Sequence, residues 1–269
     1  MVKEKKTVPK IVWKTAAQVN EERKNVERLP TDTPIDGIIG GGIERGDAIE
    51  FYGDNGAGKS QICFSVAAKV AAGGSDVVWI DAEGTFRTER LSEICQSRGY
   101  NAEEVGKLIH LTSPKDTMEL AQTILQIPKS LTPKLVVLDS LITLHRSEYI
   151  GRGKLAERQG LLRSFLVSFL SYVKERQCYG IITNQIHDNP NEAFPNMPLY
   201  MRQIDAGGPA VQYHIINHRI FLRKGKGGTR IARLMDSSYL PEGEAAFRIT
   251  ERGVEGVERA EGETKEGEA

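Results

Sequence analysis

The sequence predicts an α/β fold: a mostly parallel central sheet with helices on both faces, followed by antiparallel hairpins at the C-terminal end. Three observations predict it. Strand-like apolar runs alternate with helix-like amphipathic segments from Asp47 to Gln185, the order in which a parallel sheet is built and covered. Two of those runs, Val77–Asp81 and Leu135–Asp139, are continuously apolar and close on a carboxylate, as buried strands do when they open onto a ligand crevice. From Arg219 the pattern changes to short strands with a Gly227-Gly228 turn, which reads as hairpins.

Size and charge bound the function before any motif does. The 269 residues suit one large α/β domain with short appendages. Lys plus Arg and Asp plus Glu both number 36. A whole-chain basic character is therefore excluded, and any nucleic-acid contact must come from a local cluster. The apolar runs fall short of a membrane span. The N-terminus, Met1-Val-Lys-Glu-Lys-Lys6, lacks the apolar stretch of a signal peptide. Cys63, Cys95 and Cys178 are far apart and form no metal-type pair. They read as reduced structural thiols in a cytoplasmic protein.

Residues 1–30 read as an N-terminal arm, 31–253 as the core and 254–269 as a disordered acidic tail. In the arm, residues 17–29 predict a short helix ended by Pro30 and Pro34. Asp47–Tyr52 alternates like a strand, and Gln61–Ala72 has apolar residues at helical spacing. Val77–Asp81 is the next strand and Arg87–Arg98 a helix. Leu108–Thr112, Leu135–Asp139 and Gly180–Gln185 are further strands, with helices over Thr117–Ile127 and Leu155–Gln177. Hairpin strands follow over Arg219–Lys224, Arg230–Met235 and Ala245–Thr250. The tail carries six glutamates against Arg259 and Lys265, a composition that cannot bury a core.

Between the first strand and its helix stands Gly53-Asp54-Asn55-Gly56-Ala57-Gly58-Lys59-Ser60, which fits G-x-x-x-x-G-K-[ST] without a gap. Strand, glycine turn and helix is the context in which this pattern binds phosphate. Backbone N–H groups close around phosphate oxygens, helped by the helix N-terminus. Lys59 then reaches the β- and γ-phosphates of a nucleotide and Ser60 holds Mg²⁺. The other reading is a glycine-rich turn with an exposed lysine. Asp139 supplies a second element, taking the Mg²⁺ water shell beside Ser60, where a lone strand-terminal aspartate is otherwise a cap. Phosphoanhydride hydrolysis also needs a group that orients or deprotonates water. Glu83, just past the second strand, is placed for it, or is a surface glutamate in a turn.

Arg146-Ser-Glu-Tyr-Ile-Gly-Arg152-Gly153-Lys154 is a basic, glycine-containing loop with one aromatic residue. Such loops can track a nucleic-acid backbone, although by composition alone a solvated loop is the favoured reading. Residues 187–209 form a long Asn- and Pro-rich segment without regular pattern.

Taken together these motifs resemble the archaeal RadA recombinases, within the RecA superfamily of strand-exchange ATPases, from about Trp13 to Val254. Arg146-Ser-Glu-Tyr-Ile-Gly-Arg-Gly-Lys-Leu-Ala-Glu-Arg-Gln159 is similar to the family's first DNA-binding loop nearly letter for letter. Asp81–Arg90, Leu222–Leu234 and Leu240–Ile249 also resemble segments of the RadA family. The resemblance implies a RecA-like P-loop ATPase core that uses ATP and Mg²⁺. It implies that Glu83 is the catalytic glutamate and that Arg90 packs on adenine. Gln61 falls with the nucleotide-binding loop. Arg152 and Arg158, with Arg146 and Lys154, would face DNA. Gln185 would sense the γ-phosphate and couple it to the second loop. Trp13-Lys14-Thr15-Ala16 is similar to the motif that docks on the next protomer, with Trp13 in place of a phenylalanine. Asp236 and Pro241 would cap ATP bound to a neighbouring protomer.

The sequence departs from the family in its second loop, Ile186 to Gly208, and has Gly207-Gly208-Pro209 where the family has Gly-Gly-His. The helical DNA-binding domain that precedes the core in RadA is not in this sequence. These features suggest a short form or a RadA paralogue. The implied function is a DNA-dependent ATPase of homologous recombination and DNA repair. It would form a filament or ring of like subunits on single-stranded DNA, also meet double-stranded DNA, and require no membrane. The alternative is a paralogue that modulates a full-length recombinase without exchanging strands. A KaiC-type signalling ATPase is the more distant one.

Overall fold

A computed structural model describes residues 12–148, 155–185 and 216–257. In chain order the elements are α1 (Ala16–Lys24), β1 (Arg28–Leu29), β2 (Ile43–Glu44), β3 (Ala48–Gly53), α2 (Lys59–Ala72), β4 (Val77–Asp81) and α3 (Thr88–Arg98). Then come α4 (Ala102–Lys107), β5 (Ile109–Thr112), α5 (Thr117–Thr123), β6 (Leu135–Asp139), α6 (Thr143–Glu148), α7 (Leu155–Arg176) and β7 (Tyr179–Gln185). The hairpin strands β8 (His218–Lys224), β9 (Thr229–Ser237), β10 (Gly243–Thr250) and β11 (Gly253–Gly256) close the described chain.

Nine strands form one sheet in the order β11-β10-β9-β8-β3-β7-β6-β4-β5. The stretch from β8 to β5 is parallel, and β9, β10 and β11 are added antiparallel. One face is covered by α2, α3 and α4 through Ile62, Val66, Leu91, Ile94 and Val105. The other is covered by α5, α6 and α7 through Leu120, Leu144, Leu162, Phe169 and Val173. The α/β architecture with C-terminal hairpins expected from the sequence is the one observed.

Several expectations need correction. The helix expected over 117–127 stops at Thr123, and the one expected over 17–29 runs from Ala16 to Lys24. Helix α4 was not expected; Asn101 caps it by accepting from the N–H groups of Glu103 and Glu104. Arg146 belongs to helix α6, not to a loop. The tail expected to be disordered from residue 254 begins with ordered residues. Val254 is buried in β11, and its N–H donates to Ser65 Oγ at 3.0 Å. A composition averaged over sixteen residues hides one valine with a pocket to fill.

Strand β3 was expected to alternate, but all six of its residues are buried. The charge at Glu50 is met by Arg219 of β8 at 2.5 Å, both side chains being fully buried. Asn184 of β7 donates to the other carboxylate oxygen at 3.1 Å, and the Arg219 guanidinium lies 4.9 Å from the centre of the Tyr52 ring. A buried charge is tolerated when its partners satisfy it.

Candidate functional site

Parallel pairing brings four strand ends to one edge. Gly53 of β3 is level with Gln185 of β7, and Asp81 of β4 with Asp139 of β6. Strands β3, β7, β6 and β4 are consecutive in the sheet, so this edge is the crevice of an open α/β sheet. A cavity of about 530 Å³ opens there, lined by Lys59, Ser60, Glu83, Arg90, Gln185 and Arg230 among others.

The loop from Gly53 to Gly58 needs its glycines. Gly53 has φ +153°, and a Cβ there would stand 2.0 Å from the Leu222 carbonyl oxygen. Gly58 has φ +105°, with the Phe247 ring 3.2 Å from a Cβ. A side chain at either would strain the backbone or displace the sheet. Asn55, Gly56 and Gly58 face the cavity, while Ala57 is buried behind them. Lys59 Nζ donates to the carbonyls of Gly53 and Asp54 at 2.9 and 2.8 Å. Burial pushes its pKa down, against the pull of Glu83, Asp139 and Asp54. An anion in the loop would restore that lost solvation, which is the electrostatic logic of a phosphate site.

Asp139 is held by two hydroxyls, Thr183 Oγ1 and Ser60 Oγ. Burial pushes its carboxyl pKa up to about 6, the two hydroxyl bonds pull it down, and Glu83 and Asp81 add repulsion. Among the described residues no group of three or more His, Cys, Asp or Glu side chains is arranged to hold a metal ion by itself. A divalent cation here would be held by one carboxylate, the Ser60 hydroxyl and the oxygens of a bound phosphate. Mg²⁺ accepts that arrangement because it keeps much of its water, so the residues present fit it.

Glu83 is set in place by its own turn. The Asp81 carboxylate accepts from the N–H groups of Thr85 and Phe86 at 3.1 and 2.9 Å, and the N–H groups of Ala82 and Glu83 donate to the Asp139 carbonyl. Phe86 packs 5.0 Å from both Phe64 of α2 and Trp79 of β4. Glu83 Oε1 accepts from Gln185 Nε2 at 2.7 Å and from Thr143 Oγ1 at 3.2 Å. Arg90 is fixed from three sides: Nε donates to Gln61 Oε1 at 2.7 Å, Nη2 to the Thr250 carbonyl at 2.6 Å, and Nη1 pairs with Glu93.

Other expected site residues lie elsewhere. Asp236 pairs with Arg219 across β8–β9, level with Glu50 rather than Gly53, and Pro241 is on the connection to β10. Both are towards the sheet edge opposite the cavity. Trp13 is 89% exposed and Val12 72%, just ahead of Thr15, which caps α1. Ala16 opens that helix, none of whose residues is buried. Arg146 lies on α6 and Arg158 on α7, while Arg152 and Lys154 lie outside the described residues. Sequence reading missed Thr143, Thr183, Arg230 and Ile249. Thr183 had a signal, two residues before Gln185 at the end of an apolar strand; the others had none.

The tuning of Asp139 has a consequence for stability. Its pKa is raised on folding, so its contribution is most favourable below the ordinary value of 3.8 and is lost as pH rises towards about 6. Asp139→Asn keeps the shape without the charge. It is expected to stabilise the nucleotide-free chain near neutral pH by on the order of 2–3 kcal/mol, and to have no such effect near pH 4. Urea denaturation at the two pH values checks this; an equal change at both would show that the buried charge is not the cause.

The comparisons with known proteins agree with the geometry. The Rad51 family profile matches residues 22–257. The DNA repair and recombination protein RadA of Methanoculleus marisnigri is 36% identical over 264 residues, covering 90% of this chain and 79% of that protein.

Proposed function

The chain belongs to the Rad51 family, and we propose that it is an ATP-dependent DNA-binding recombinase of homologous recombination and DNA repair. It binds single-stranded DNA as a filament or ring, engages double-stranded DNA, and hydrolyses ATP between adjacent protomers in the cytoplasm. Residues 1–30 serve as the assembly arm. One observation carries the catalytic part: Glu83 stands at the mouth of the phosphate loop with Gln185 bonded to its carboxylate.

The roles follow from chemistry. Lys59 and the loop N–H groups hold the triphosphate, and Ser60 and Asp139 would hold Mg²⁺, which when bound would offset phosphate charge. Glu83 orients the attacking water and takes its proton. Arg90, locked by Gln61 and Thr250, is the adenine contact. Gln185 relays the state of the γ-phosphate to the segment beyond it. Asp236 and Pro241, remote from their own cavity, complete the site of the next protomer. Head-to-tail contacts between unlike surfaces repeat into filaments or rings.

DNA binds through Arg146, Arg152, Lys154 and Arg158. In a chain with no net charge these cations form a local footprint. Arg152→Ala is expected to weaken binding to all sequences alike and to lower the slope of log affinity against log salt by about one. The measurement is a salt titration of single-stranded DNA binding, with ATP turnover followed in the same samples. An unchanged slope and affinity would remove Arg152 from the interface; turnover indifferent to DNA in the parent chain would sink the recombinase reading. A paralogue that modulates a full-length recombinase is the second reading, favoured by the divergent sequence from Ile186 to Gly208.

A further inference from the structure

Gln185 is not the sole group on the Glu83 carboxylate. Thr143 Oγ1 donates to the same oxygen, Oε1, at 3.2 Å, and lies 2.8 Å from Ser140 Oγ. Both bonds fall on Oε1, which leaves Oε2 for the attacking water. Thr143 is the first residue of α6. At the other end of that helix Glu148 accepts from the Thr117 N–H at 2.7 Å and the Thr117 hydroxyl at 2.6 Å. Thr117 is the first residue of α5. A helix of under two turns is thus tied at one end to the water-orienting carboxylate and at the other to a neighbouring helix. Arg146, a proposed DNA contact, lies on it between the two ties.

We infer that Thr143 is a positioning residue through which α6 reports DNA occupancy to Glu83, a second link beside Gln185. The inference rests on the recombinase reading above. A hydroxyl that donates to a carboxylate oxygen fixes its rotamer and its orientation. A short helix moves as a unit, because its hydrogen bonds resist internal deformation. A shift of α6 when phosphates engage its basic residue therefore changes the Thr143 bond, and with it the aim of Glu83. The Glu148 tie gives that shift a fixed pivot.

The test compares Thr143→Val, Thr143→Ser and the parent chain, all as the full protein. Steady-state ATP turnover is measured with and without an oligo-dT single strand, alongside the affinity for a fluorescent ATP analogue. Thr143→Val keeps the shape and loses the donor. It is expected to bind nucleotide like the parent and to lose about tenfold in the ratio of stimulated to unstimulated turnover, the worth of one hydrogen bond to a charged group. Thr143→Ser is expected to restore the ratio. Parental stimulation in the valine variant overturns the link, and so does a serine variant as defective as the valine one, since packing would then be the cause. If oligo-dT does not stimulate the parent chain, the recombinase reading fails and the link fails with it. A stimulated parent with an undisturbed valine variant removes only the link.

Discussion

Glu83→Gln is expected to bind ATP as tightly as the parent chain and to turn it over about a thousandfold more slowly, the usual range for losing a general base. The substitution is nearly isosteric. Its amide oxygen still accepts from Gln185 and Thr143, which now meet Oε1 of the glutamate at 2.7 and 3.2 Å. The phosphate cradle is untouched, because Lys59, Ser60 and Asp139 sit on other elements. What is lost is the capacity to take a proton. Nucleotide affinity and single-turnover hydrolysis on one preparation separate the two effects. Undiminished turnover would assign the water to another group.

The second large effect concerns assembly. Trp13 is 89% exposed in a segment with no core of its own, so its indole has nothing to cover it within the described chain. At the far edge of the sheet, β5 and the end of α5 border a cavity of about 260 Å³ lined by Val78, Leu111, Ile127 and Leu131. Of its lining, Leu111 is 48% exposed. In the assembly proposed above, Trp13 of one protomer docks on the next. Burying the indole contributes about 2–3 kcal/mol, a factor of about 30 to 150 in affinity. Trp13→Ala with Ala16→Glu is therefore expected to yield a folded monomer. Its ATPase activity is expected to fall as well, on the role proposed for Asp236 and Pro241 at a neighbour's site. Light scattering, circular dichroism and turnover on one sample check all three. A double variant that stays assembled, or that unfolds, would show that the arm is not the docking element.

The local parts of this protein were legible in the sequence. The phosphate loop is one contiguous run in which glycine spacing is itself the chemistry, and the close approach of Gly53 to Leu222 shows why. The strand ends at Asp81, Asp139 and Gln185 were readable because a buried strand is apolar until it meets the crevice. Helix α6 and strand β11 were not, being too short for a period to declare itself; their order comes from a threonine on a glutamate and from Val254 in a pocket.

What only the tertiary structure decided is everything that depends on which strand lies beside which. Glu50 and Arg219 are ordinary charged residues until β3 and β8 pair and bury both. Thr143 and Thr183 are small polar residues until the order β7-β6-β4 sets their hydroxyls on Glu83 and Asp139. Asp236 and Pro241 lie away from the cavity because β9 runs back against β8. A side chain's type and its near neighbours determine what chemistry it offers. Its partner across the sheet is selected by long-range burial and register, which no short window of sequence contains.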